Sequence, residues 1–149
     1  MKISRQRTYA FLVTTGAGIL FYRTVAMVAE GYLGILTWWA GALLLAEMII
    51  DLACIVTAIV WFRSGDPSRD RLPLRLGTVA ALLHAVRVGV YVLGRTAPAL
   101  NFDVRSSQVH HYGDTSWFWV WFAALLALLG VAGVVVIWRI RIRNRKRVL

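Results

Sequence analysis

The sequence predicts an all-α integral membrane protein: a four-transmembrane-helix bundle with both termini on the cytoplasmic side. Three observations predict it. Of its 149 residues, 59% are hydrophobic and only 16% charged, and the mean hydropathy is +0.65, whereas a soluble domain is about a quarter charged. Four segments are long and apolar enough to cross the hydrocarbon core, which takes about 20 residues. The basic residues gather at alternate ends of those segments. The same composition excludes disorder, which needs low hydrophobicity. The single cysteine, Cys54, excludes an intrachain disulfide scaffold.

The spans are expected at about 8–29, 32–62, 76–95 and 117–140, within a single membrane domain covering 1–149. The first is longer than a signal-peptide core and lacks a small-x-small exit, so it is expected to remain as a helix. Glu30 and Gly31 form a short turn that makes the first two spans an antiparallel hairpin. The second span exceeds the length a bilayer requires and is expected to tilt or project into an interface. Gly65, Asp66, Pro67 and Pro73 mark the connection from Arg63 to Arg75 as a loop. The long connection, about 96–116, holds Pro98, Asp103, His110, His111 and Asp114. Trp117, Trp119 and Trp121, with Trp61 and Trp138, suit aromatic belts at the interfaces. Trp38 and Trp39 fall inside the second span and do not. Gly16 and Gly18, Gly31 and Gly34, and Gly130 and Gly133 offer close helix contacts.

Orientation follows from charge. Lys2, Arg5 and Arg7, then Arg63, Arg69, Arg71 and Arg75, then Arg139, Arg141, Arg143, Arg145, Lys146 and Arg147 all fall on one side. Only Arg95 and Arg105 fall on the other. Positive residues stay cytoplasmic, so a plasma membrane, bacterial or archaeal, is the expected location. The net charge of +10 lies at span ends, where it meets anionic membrane lipid. No nucleic-acid partner is expected.

Ionisable groups inside the spans carry the functional reading. Arg23, Glu47, Asp51, His84 and Arg87 stand well away from span ends, where a charge costs at least about 2.5–3.5 kcal/mol and is usually paired. Counting along helices at about 1.5 Å per residue puts Arg23, Glu47 and Tyr91 in one layer, and Asp51 and Arg87 in another. Arg23 is thus expected to meet Glu47, and Arg87 to meet Asp51. Glu47 and Asp51 are four residues apart and share a helix face. Two carboxylates that close do not both ionise cheaply, so one is expected to hold a proton, giving an acid and a base in one site.

These residues suggest a small membrane enzyme performing acid–base chemistry on a lipophilic small molecule: isomerisation, cyclisation or epoxide opening. Glu47, Asp51, Tyr91 and His84 are the catalytic candidates. Arg23, Arg87 and Trp39 are candidates for substrate contact or charge pairing. The alternatives are a proton-coupled or cation transporter acting as a homo-oligomer, and an accessory or scaffold subunit whose buried charges only fix helix register. His110, His111 and Asp114 suit a loop or lid better than a metal site, because adjacent His side chains diverge. No HExxH or CxxC occurs, and no second histidine within a span could complete a haem site with His84, so no metal and no cofactor is expected. Cys54 is expected to be a small core residue.

Overall fold

The computed structural model describes residues 5–97, 102–110, 114 and 116–146. The protein is all-helical, and four of its helices are long and apolar enough to cross a membrane. In chain order the helices are α1 (Arg5–Ala29), a single turn α2 (Tyr32–Ile35), α3 (Trp38–Ser64), α4 (Arg71–Thr96) and α5 (Trp117–Lys146), all but α2 being long. The long helices run alternately up and down. α1 lies against α3, α3 against α4, and α4 against α5. One end of the bundle, the basic end, carries the start of α1, the α3–α4 connection and the end of α5. The α1–α2 turn and the described residues between α4 and α5 form the opposite end.

Three boundaries differ from the sequence expectation, each for a local reason. The segment 32–62 is not one helix. Leu36 (φ −70°, ψ 151°) and Thr37 (φ −63°, ψ 159°) are extended, so the chain leaves helical geometry between α2 and α3. Thr37 is the N-cap residue of α3 by position, but its hydroxyl makes no cap bond and donates instead to the Phe102 and Asp103 carbonyl oxygens at 3.3 and 3.1 Å. Trp38, 85% exposed, therefore opens α3 rather than sitting in mid-span. α4 starts at Arg71 instead of Leu76 because Pro73 falls in its first turn, where the missing N–H costs no helical bond. α5 continues through the first part of the basic tail to Lys146.

The α1–α2 turn needs glycine: Gly31 has φ +84°, a left-handed conformation that Cβ disfavours. Gly65 (φ +64°) ends α3 in the same way. Asp66 then accepts from the Ser68 N–H and hydroxyl, both at 2.8 Å. These bonds favour the ionised form and hold its carboxyl below the usual range. The expected glycine pairs contribute little. A Cβ at Gly16, Gly18, Gly34 or Gly133 would meet nothing within 4 Å, and one at Gly130 would meet only the Ala81 side chain. The close approach is at Gly77, where a Cβ would stand 3.4 Å from Cys54 Sγ and 3.6 Å from Val13.

The interior has three layers. Towards the basic end, Ala10, Val13, Ala17, Cys54, Ala58, Trp61 and Leu74 form an apolar cluster. Cys54 is buried there as expected, with Sγ 3.5 Å from the Pro73 carbonyl oxygen. Towards the other end, Met27, Leu36, Ala40, Leu44 and Val104 form a second cluster. Glu47, Asp51 and His84, each at most 2% exposed, lie between them along α3 and α4. Arg141 ties α5 to the start of α4 through Asp70 at 2.9 Å, and Trp138 Nε1 donates to Thr78 Oγ1 at 2.9 Å.

Residues 102–105, between α4 and α5, are strapped across the α2–α3 break. Leu36 and Val104 form an antiparallel bridge. The Thr37 N–H donates to Asp103 O at 2.8 Å, and the Arg105 N–H to Ile35 O at 3.0 Å. Trp39 Nε1 donates to Phe102 O at 3.0 Å, and the two rings stack at 6.0 Å. Thus the groups that leave helix at Leu36 and Thr37 find partners in the strap, as buried backbone must. Trp39→Phe keeps the ring and removes the donor. It is expected to accelerate hydrogen exchange of the Thr37 and Arg105 amides about fivefold, as one lost hydrogen bond of about 1 kcal/mol implies. Unchanged protection at both amides would contradict the strap.

Candidate functional site

The buried stripe of α3, with Leu44, Glu47, Asp51, Cys54 and Ala58, recurs every three or four residues, as one helix face does. His84 and Arg87, three apart on α4, face it. Glu47 is the hub. Arg87 Nε donates to Glu47 Oε2 at 2.6 Å, and Arg87 Nη2 reaches Oε1 at 3.4 Å. His84 Nδ1 lies 3.0 Å from Glu47 Oε1 and 3.1 Å from Arg87 Nη2. Nδ1 can donate to Glu47 Oε1 or accept from Arg87 Nη2, and in the tautomer that donates to Glu47 Nε2 keeps its lone pair. Arg87 Nη1 packs against Met27 Sδ at 3.1 Å, which brings α1 into the cluster.

The partners differ from those the depth count predicts. Arg87 meets Glu47, not Asp51, and Arg23 has no carboxylate within 4.0 Å among the described residues. The reason is the true helix ends. Glu47 is 17 residues before Ser64, and Arg87 is 16 after Arg71, so they share a level. Counting from Phe62 and Leu76 displaces them by a turn. Among the described residues, neither oxygen of the buried Asp51 has a hydrogen-bond partner, and nor do His84 Nε2 and Trp61 Nε1. The two carboxylates thus differ in surroundings, with the partners on Glu47.

A cavity of about 620 Å³ opens between the helices at the end opposite the basic one. Its wall includes Arg23, Trp39, His84, Arg87 and Tyr91 of the expected set, with apolar surface from Met27, Leu43, Val88, Phe122 and Leu126. Glu47 and Asp51 are not on that wall. Glu47 stands behind His84 and Arg87, and Asp51 is one turn further towards the basic end. The sequence expects carboxylates at the ligand, whereas this cavity is lined by His84 and Arg87, which hydrogen-bond to Glu47 behind them. α5 is more than a packing wall, since Trp119, Phe122 and Leu126 close one side.

Tyr32, Glu30 and Asp103 also line the cavity, and the sequence reading does not single them out as site residues. The signal for Tyr32 lies in Thr37, a helix N-cap residue that breaks the apparent long span and moves Tyr32 to the cavity mouth. Burial, then the charge of Glu30 and the neighbouring Tyr91, push the Tyr32 hydroxyl above its ordinary value, while Arg23 opposes the shift. Three ionisable groups thus act on one hydroxyl. Asp114 lines the cavity and His110 is exposed. His111 lies outside the described residues. Among the described residues no three His, Cys, Asp or Glu side chains stand close enough to share a metal ion.

The Glu47–Arg87 pair has a measurable energetic consequence. Glu47 is 0% and Arg87 15% exposed, and removing one partner of such a buried pair costs about 3–5 kcal/mol. Glu47→Leu is expected to lower thermal stability in detergent by that amount, and adding Arg87→Met is expected to restore most of it. Asp51→Asn breaks no ion pair of this kind and is expected to cost no more than about 1 kcal/mol. A double variant no more stable than Glu47→Leu alone would contradict the pairing. Comparison with protein-family models, characterised proteins and solved structures finds no match to this chain.

Proposed function

We propose that the chain is an integral membrane enzyme, with both termini cytoplasmic, that performs acid–base chemistry on a lipophilic small molecule held in this cavity. The observation that carries the proposal is the wall itself. An apolar lining large enough for a small lipophile surrounds a tyrosine, a histidine and an arginine, the mix of apolar surface and few polar groups typical of ligand sites. Membrane insertion is supported by the outward faces, where Ile49, Leu52, Val56, Val86, Leu128 and Leu129 are all at least 49% exposed.

The chemistry divides among named groups. Tyr91 donates a hydrogen bond to a substrate oxygen as charge develops on it. His84 takes the proton at Nε2, which requires that nitrogen to turn towards the ligand. Glu47 accepts from Nδ1–H, holding the tautomer and stabilising the imidazolium formed, while Arg87 fixes Glu47. Trp39 and Arg23 contact the substrate. Asp51 lies off the wall, and its buried carboxyl bonds to none of the groups named here. Isomerisation, cyclisation and epoxide opening all fit this arrangement.

A second reading has one observation in its favour. Glu47 is buried away from the wall, as expected of a clamp joining α3 to α4 in a non-catalytic accessory subunit. Solvent exchange separates the two. Wild-type protein is incubated in D₂O with lipid extract from its host, and the lipids are analysed by mass spectrometry. With H₂¹⁸O added to the D₂O, the enzyme reading expects deuterium on carbon (isomerisation or cyclisation) or ¹⁸O (epoxide opening) to enter one lipid species, falling by about 10²-fold in Tyr91→Phe and in His84→Gln. No enzyme-dependent label would remove the enzyme reading and leave the clamp.

Occupancy and topology have their own tests. A neutral diazirine-bearing fatty alcohol is expected to label Met27, Leu43 or Leu126, and Leu43→Trp to abolish that labelling by filling the cavity. Labelling confined to outward residues would sink the binding reading. In a Cys54→Ala background, Ser107→Cys is expected to react with an impermeant maleimide from outside intact cells, and Ser68→Cys only after lysis. The reverse pattern would overturn the orientation.

A further inference from the structure

The cavity has a charge polarity that the acid–base reading does not use. Arg87 is neutralised by Glu47 at 2.6 Å. Arg23, on the same wall, has no carboxylate within 4.0 Å among the described residues, and Glu30 and Asp114, also on the wall, have no cation within that distance there. Their places along the bundle are ordered. Arg23 lies within α1, seven residues before Glu30, or about 10 Å at 1.5 Å per residue. Glu30 follows the end of α1 and Asp114 precedes the start of α5, so both stand at the mouth. Tyr32, Tyr91 and Trp39 lie around the space between.

A purely anionic head would suit Arg23 but would face Glu30 and Asp114 on entry, with Asp103 a third carboxyl on the wall. A purely cationic head would suit the mouth but would be pushed away by Arg23. A head with an anion inside and an ammonium outside satisfies both, and like-with-unlike pairing of this kind sets specificity. The apolar lining by Met27, Leu43 and Leu126 calls for a hydrocarbon portion on the same molecule. We infer that the cavity takes the head and glycerol end of a zwitterionic phospholipid, its phosphate on Arg23 and its primary ammonium on Glu30 and Asp114. This inference rests on the reading of the cavity as a site for a lipophilic molecule, and it names the class of that molecule.

The two lipids to compare share a phosphate and differ in the amine. The full chain is placed in nanodiscs with diazirine-acyl phosphatidylethanolamine or diazirine-acyl phosphatidylglycerol. Cross-links are mapped at the cavity residues Met27, Leu43 and Leu126 and, as a control, at outward-facing Leu128 and Ile49. The amine lipid is expected to label the cavity at least fivefold more than the glycerol lipid, with equal labelling at the control residues. Arg23→Gln is expected to reduce cavity labelling by both lipids. The pair Glu30→Gln and Asp114→Asn together is expected to bring the ratio to about one while labelling by the glycerol lipid is kept or raised. An equal ratio in the wild type, or a preference that survives the mouth variant, would overturn the inference. So would displacement of the lipid by soluble phosphoethanolamine at equal concentration, since the hydrocarbon would then add nothing. If the neutral fatty alcohol labels the cavity while the amine lipid shows no preference, only the headgroup assignment fails. If neither probe enters, the underlying cavity reading fails.

Discussion

Glu47 cannot be buried alone. An ionised carboxylate withdrawn from water costs several kcal/mol unless charged and hydrogen-bonding partners replace the solvent. Here those partners are Arg87 and His84 of the neighbouring helix. That requirement fixes α3 against α4 in rotation and in height, since a slip of one turn would put Asp51 where Glu47 stands. The Met27 contact with Arg87 extends the constraint to α1. The apolar clusters on either side can be satisfied by many packings of Ala, Leu and Val, whereas the cluster of Glu47, Arg87 and His84 has one geometry. Buried ion pairs add little net stability, so its value here is in register.

The same constraint shapes the cavity. Glu47 holds the guanidinium and imidazole on the α3 side, and beyond them lies the space lined by Trp39, Tyr91 and Trp119. The strap over the α2–α3 break covers the far end. Its bonds fall on backbone groups that α2 and α3 could not satisfy, so the element closing the cavity also repairs the helix break. Rigid elements thus carry His84, Arg87 and Tyr91, while the mouth is built from turns and connections, the usual division between a scaffold and a binding surface.

Much of this is legible in the sequence. The four long apolar helices follow from composition and run length, and the buried rank of Glu47, Asp51 and His84 follows from their spacing. The pairing does not follow. Register depends on where α3 ends and α4 begins, and Pro73 reads as a breaker although it sits in a first turn that tolerates it. The break at Leu36 and Thr37 is hidden by an apolar run that looks continuous, because a threonine N-cap is a weak signal beside hydrophobicity. Level alone pairs Arg23 with Glu47. Level does not report the direction in which a side chain leaves its helix, and Arg23 leaves towards the cavity. Glu30, Tyr32 and Asp103 lie in or beside connections, where no periodicity marks a functional face.

Register and cavity both depend on Glu47, and not Asp51, being the carboxylate held by Arg87. Solid-state NMR on the full chain in lipid bilayers tests this directly, with ¹⁵N-labelled arginine and ¹³C-labelled glutamate and aspartate side-chain carboxyls. Dephasing between guanidinium nitrogens and carboxyl carbons reports direct contact. Strong dephasing of the Glu47 carboxyl is expected, disappearing in Arg87→Met, with none of the Asp51 carboxyl. Dephasing of Asp51 by Arg87, or of Glu47 by Arg23, would contradict it.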